Sequence, residues 1–191
     1  MASVAGMTIN RDAYTRYPDR GPARLLLVQS NRSALTVMAK RMGEAGFRII
    51  ACDNPGNAAA EMHRAPVDLV LAELRMAPIS GIELTRRIRD DTTLRATPII
   101  LITGKSDSAG AVDGFGAGAD DVVGKPFDFD VLAARVTRRL TRAQAERELR
   151  DDKATLDARV VTRAIQLGEM RVALEASEAE RVRLEQIVGR A

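Results

Sequence analysis

The sequence predicts an α/β fold, a doubly wound five-stranded parallel sheet followed by a long C-terminal helix. Three observations predict it. Five short apolar runs alternate with segments of helical periodicity between about residues 25 and 140. That alternation implies parallel strands joined by right-handed helical crossovers and covered on both faces. From Arg142 to Ala191 there is no proline, and Ala, Glu, Arg and Leu dominate.

Residues 1 to 22 read as a flexible tail: Gly, Asn, Asp, Arg and Pro without a sustained period, ending in Asp19-Arg20-Gly21-Pro22. Leu25 to Val28 is the first strand. Leu35, Met38, Met42 and Ala45 fall at helical spacing and Gly46 stops that helix. Phe47 to Ala51 is the second strand, and a small-residue helix runs from about Gly56 to Arg64. Asp68 to Glu73 is the third strand, followed by a helix from Gly81 to about Arg89 carrying Ile82, Leu84 and Ile88. Ile99 to Thr103 is the fourth strand. A Gly/Ala-rich helix leads to a short fifth strand near Asp121 to Val123, and a helix begins near Asp128 with Val131, Leu132, Val136 and Leu140. The expected organisation is a tail (1–22), an α/β domain (23–141) and a C-terminal helix (142–191).

Composition narrows the function. The chain has 191 residues, one cysteine, one histidine and no tryptophan. Cys52 alone permits neither an internal disulfide nor a multi-cysteine zinc site. The low aromatic content argues against stacking on single-stranded nucleic acid. The net charge of +3 permits nucleic acid without demanding it, so nucleic acid is not the expected partner. No apolar run approaches membrane-spanning length and no secretion signal is evident, so the cytoplasm is the expected location.

In a doubly wound sheet, functional groups gather at the carboxyl ends of strands. Gln29, Ser30, Glu73 and Thr103 sit at such ends, and Lys125 closely follows the last strand. The segment Val67 to Met76 with its terminal Glu73, the strand ending in Thr103, the run Gly116-Ala117-Gly118-Ala119-Asp120-Asp121 and Lys125-Pro126-Phe127 together resemble the receiver domain of bacterial two-component response regulators. The resemblance covers about residues 24 to 140. It implies a flavodoxin-like sheet with strand order 2-1-3-4-5.

It also implies a site whose chemistry has changed. The family's two acidic magnesium-holding positions fall on Gln29 and Ser30, and its phosphoacceptor aspartate on Glu73. The hydroxyl and lysine positions are kept as Thr103 and Lys125. The aromatic switch position falls on Val122. Magnesium favours carboxylates, phosphates and water, so one carboxylate with neutral oxygens should bind it weakly or not at all. The extra methylene of Glu moves the nucleophile by about 1 Å, enough to spoil in-line transfer. No catalytic residue, metal site or cofactor is expected. Glu73 is expected either to mimic phosphorylation by reaching toward Thr103 and Lys125, or to form a structural ion pair with Lys125, because an unpaired buried charge is costly.

The resemblance further suggests a cis Lys125–Pro126 bond. His63 is expected at the surface or a helix end, and Cys52 as a small buried filler. An Arg-x-x-Asp pattern at Arg87 to Asp90 matches short cyclic-dinucleotide motifs but recurs at Arg16 to Asp19, close to chance in an arginine-rich chain. Arg135, Arg138, Arg139 and Arg142 form a denser basic cluster, either a solvated helix face or a site for a nucleotide or an acidic partner.

With Leu149 at heptad position d, Leu156, Met170, Leu184 and Ala191 share d, and Val160, Leu167, Leu174 and Val188 occupy a. The exceptions are Lys153, Arg163, Ser177 and Arg181. Nine of thirteen core positions are therefore apolar, the pattern of a coiled coil rather than a lone surface helix. The expected protein is a dimeric, non-enzymatic signalling adaptor with a signalling-protein partner. The alternatives are the regulatory part of a larger protein, such as a cyclic-dinucleotide enzyme or a sensor kinase, whose output domain is absent, and a nucleotide-binding receiver using the basic cluster.

Overall fold

The computed structural model describes residues 16–17 and 21–188, apart from the side chains of residues 16, 17, 180, 182 and 184–188. The sheet strands are β1 (Arg24–Val28), β2 (Arg48–Cys52), β3 (Leu69–Glu73), β4 (Ile99–Thr103) and β5 (Asp121–Gly124). The helices are α1 (Arg32–Glu44), α2 (Ala58–Arg64), α3 (Gly81–Asp90), α4 (Ser108–Gly116) and α5 (Phe129–Val188). A 3-10 turn at Pro55–Asn57 precedes α2. The chain divides into two compact units, one ending at Gln144 and one beginning at Ala145.

The spatial order is β2-β1-β3-β4-β5, and every neighbouring pair is parallel. This is the doubly wound sheet that the alternation and the resemblance predicted. Within the expected tail, Arg16–Tyr17 pairs with Gly21–Pro22 in a two-residue antiparallel ribbon, an exception to a structureless tail. Gly21 makes that return with φ +74°.

Strand side chains alternate between two layers because successive Cβ atoms point to opposite faces. Leu25, Leu27, Leu69, Leu71, Ile100 and Ile102 face α1 and the start of α5, where Met38, Met42, Leu132, Val136 and Leu140 meet them. Leu26, Val28, Val70, Ala72, Ile99 and Leu101 face α2 and α3, packing on Met62, Leu84 and Ile88. Val131 is 54% exposed, one position off the buried Leu132–Val136–Leu140 stripe.

Local chemistry sets the helix starts. Asn31, Ser80 and Asp107 cap α1, α3 and α4 by accepting from the backbone N–H of Ala34, Glu83 and Gly110 at 3.0, 3.1 and 3.0 Å. The Asp128 carboxylate accepts from the N–H of Asp130 and Val131 at the start of α5.

Arg89 of α3 ties the amino-terminal edge of the sheet together. Its guanidinium donates to the carbonyls of Gly118, Arg95 and Thr97 and to Asp120 Oδ2, all at 2.8–2.9 Å. Asp120 Oδ2 also accepts from Ile99 N–H at the start of β4. The neighbouring Arg87 pairs with Glu83 one turn earlier. The Arg-x-x-Asp stretch therefore holds the fold with one arginine and decorates a helix surface with the other.

Candidate functional site

The carboxyl ends of β1, β3, β4 and β5 form one crevice. Parallel register sets Glu73 opposite Ile102, and Thr103, one residue on, opposite Gly124. Lys125 follows Gly124, and its N–H donates to the Thr103 carbonyl at 2.9 Å. From there the Lys125 Nζ donates to Glu73 Oε1 at 2.8 Å. Both side chains are partly shielded, Glu73 being 21% and Lys125 36% exposed. The Lys125–Pro126 peptide is cis, and so is Ala77–Pro78.

Thr103 is buried at the end of β4, and its hydroxyl donates to Asp107 Oδ2 at 3.2 Å rather than joining the Glu73–Lys125 pair. Asp107 is held in turn by a two-pronged contact from Arg75, Nε to Oδ2 at 2.8 Å and Nη2 to Oδ1 at 3.0 Å. Neither Arg75 nor Asp107 stood out in the sequence. The only signal is the cap-like Asp107 before Ser108.

Gln29 is buried just past β1. Its N–H donates to the Cys52 carbonyl, and its side-chain oxygen accepts from Asn31 N–H at 3.2 Å. Ser30 is exposed. At the rim Arg32 Nε meets Asp53 Oδ2 at 2.9 Å. Magnesium, which the receiver resemblance implies, does not fit these donors. At the three positions that the resemblance gives to the metal, Glu73 is the one carboxylate and is engaged by an ammonium, and the amide oxygen of Gln29 is engaged by a backbone N–H; Asp107 and Asp53 nearby are each paired with an arginine. Among the described residues no three His, Cys, Asp or Glu side chains gather in a metal-holding group.

Val122 at the switch position is half-buried and packs toward the α2–α3 layer. In the basic cluster, Arg135 Nη1 is paired with Asp121 Oδ2 at 3.0 Å, Arg139 is half-buried, and Arg138 and Arg142 are exposed. His63 lies exposed in the last turn of α2, with Nε2 3.1 Å from Asp91 Oδ2. Cys52 is buried, its Sγ bonded to the Asn54 carbonyl, and burial pushes the thiol pKa up.

Two carboxylates titrate far below the ordinary range. Asp107 is held at about 2, first by the Arg75 guanidinium and then by the Gly110 N–H. Asp91 is held at about 2, first by the Thr93 hydroxyl and then by the Thr93 N–H. Lowered folded-state values contribute stability that is present above the unfolded carboxylate value near 3.8 and is lost as pH falls through about 2. Melting temperature is therefore expected to decline between about pH 4 and pH 2. Asp107→Asn with Asp91→Asn should flatten that slope; an unchanged slope would show that other groups set it.

In α5 beyond the first unit, Leu149, Leu156, Val160, Leu167, Met170 and Leu174 are each 58–72% exposed. The side chains of Leu184 and Val188, and all of Ala191, lie outside the described residues. Among the described residues no helix is long and apolar enough to cross a membrane.

Known proteins place this geometry. Residues 25–137 match the model of the response regulator receiver domain. The chain is similar to the response regulator ArlR of Staphylococcus saprophyticus, with 44% identity over 89 residues, 47% of this chain and 39% of that protein. It spans about two-fifths of the length of such relatives. It is also similar to the crystal structure of the signal receiver domain of a signal transduction histidine kinase from Syntrophus aciditrophicus (27% identity, TM-score 0.57, covering 62% of this chain and 89% of that one). The FixJ-N crystal structure matches at 26% identity and TM-score 0.59, covering 62% of this chain and 94% of that one. The family match spans more than half of the sequence and coincides with the five-stranded sheet, so the chain belongs to the response regulator receiver domain family, the receiving module of two-component signalling.

Proposed function

We propose that the chain is a non-catalytic pseudo-receiver, a dimeric adaptor in signal transduction whose state does not depend on phosphorylation. The observation that carries the reading is the 2.8 Å contact between Lys125 Nζ and Glu73 Oε1. The resemblance places Lys125 at the family's lysine position and Glu73 at its phosphoacceptor position; here each group already satisfies the other. Phosphoryl transfer depends on positioned charge neutralisation. With Gln29 and Ser30 at the acidic positions, the crevice lacks the anionic oxygens that would recruit a divalent ion.

The expected result is that acetyl phosphate with magnesium leaves the intact mass unchanged and that beryllium fluoride leaves the melting temperature unchanged. Stoichiometric phosphate on Glu73 would overturn the reading.

The heptad pattern of α5 and its exposed apolar side chains support a second copy as the partner along that helix, because scattered apolar residues need no explanation but a seam apolar at nine of thirteen core positions does. A second reading, the regulatory part of a longer response regulator or sensor kinase, is favoured by the two-fifths coverage of the relatives. The genomic reading frame beyond Ala191 separates the two.

A further inference from the structure

Three side chains outside the Glu73–Lys125 pair form a chain of contacts across two loops. Arg75 lies in the loop between β3 and α3, two residues past Glu73. Asp107 is the residue that caps α4, and Thr103 closes β4. Asp107 accepts from three residues at once, from Arg75 at 2.8 and 3.0 Å, from the Thr103 hydroxyl at 3.2 Å and from Gly110 N–H at 3.0 Å. Two-pronged guanidinium–carboxylate geometry adds directional specificity that a single-point contact lacks. Asp107 is mostly covered, with 18% of its side chain exposed, whereas Arg75 is 69% exposed.

We infer that Arg75, Asp107 and Thr103 form a latch that couples the β3–α3 loop to the start of α4 and keeps the Thr103 hydroxyl turned away from Glu73. With the latch closed, the two loops flanking the Glu73–Lys125 pair move as one body. With it open, Thr103 is free to turn and the start of α4 is released from β3. The guanidinium is solvent-facing, and ion pairs with an exposed partner weaken as salt rises, so the latch is sensitive to ionic strength. Its carboxylate stays ionised down to about pH 2, so physiological acidification leaves it closed. The latch deepens the reading of a crevice held in one state.

Hydrogen exchange by mass spectrometry on the full chain tests it. Arg75→Ala and Asp107→Asn are each expected to speed exchange of the amides in residues 104–116 about three- to tenfold, while β1 and β2 stay unchanged. Asn keeps a side-chain oxygen and caps helices well, so Asp107→Asn removes the ion pair without removing the α4 cap. The double variant should exchange no faster than the faster single one, because both open the same contact. Raising the salt should speed exchange of this segment in the parent chain but not in the double variant.

Unchanged exchange in both single variants, additive effects on the logarithm of the rate, or equal acceleration throughout the sheet would each overturn the latch. Phosphate incorporation at Glu73 would overturn the adaptor reading and leave these exchange results standing, so the two failures are distinguishable.

Discussion

Gly81→Ala is expected to destabilise the first unit by about 1–3 kcal/mol and to disturb the Glu73–Lys125 pair. Gly81 opens α3 where the helix crosses the end of β3, and its N–H donates to the Leu74 carbonyl at 2.9 Å. A Cβ there would collide with the Glu73 carbonyl oxygen and lie 3.1 Å from Leu101 Cδ2. The first obstacle is backbone at a central strand end, so no rotamer change relieves it, and β3 or α3 must shift. Either shift moves the carboxylate that Lys125 meets. Chemical denaturation measures the loss, and the ammonium resonance of Lys125 reports the pair. A variant as stable as the parent with that resonance unmoved would show that the close approach of α3 to β3 is not required.

Ending the chain at Gln144 is expected to leave one chain per particle by light scattering, where the full chain gives two. The cut retains Leu132, Val136, Leu140 and Ala143, the buried face with which α5 completes the first unit. It removes the segment in which Leu149, Leu156, Val160, Leu167, Met170 and Leu174 stand exposed. Polar residues at a and d positions lower coiled-coil stability but select its register, so Lys153 and Arg163 weaken the seam without abolishing it. The same number of chains per particle in both forms would contradict dimerisation through this helix.

How legible the molecule was depended on how local the determining physics is. The sheet could be read because strands covered on both faces must be apolar along nearly their whole length, as Leu25 to Val28 and Ile99 to Ile102 are. Glu73 and Lys125 could be placed near one another because each ends or follows a strand of the same parallel sheet. Arg75 and Asp107 could not, because they are 32 residues apart in two loops with no periodicity to relate them. Arg89 was equally silent: in Arg86-Arg87-Ile88-Arg89, nothing local marks which guanidinium reaches the carbonyls of Arg95, Thr97 and Gly118. The destination of the Thr103 hydroxyl likewise depended on a competing acceptor four residues downstream.

The account rests on the crevice lacking the negative oxygens to seat a divalent ion, and a calorimetric magnesium titration tests this directly. It predicts no saturable binding at millimolar magnesium for the chain as it stands, and saturable binding once Gln29→Asp, Ser30→Asp and Glu73→Asp are combined. Saturable millimolar binding by the unaltered chain, abolished by Glu73→Gln, would contradict it.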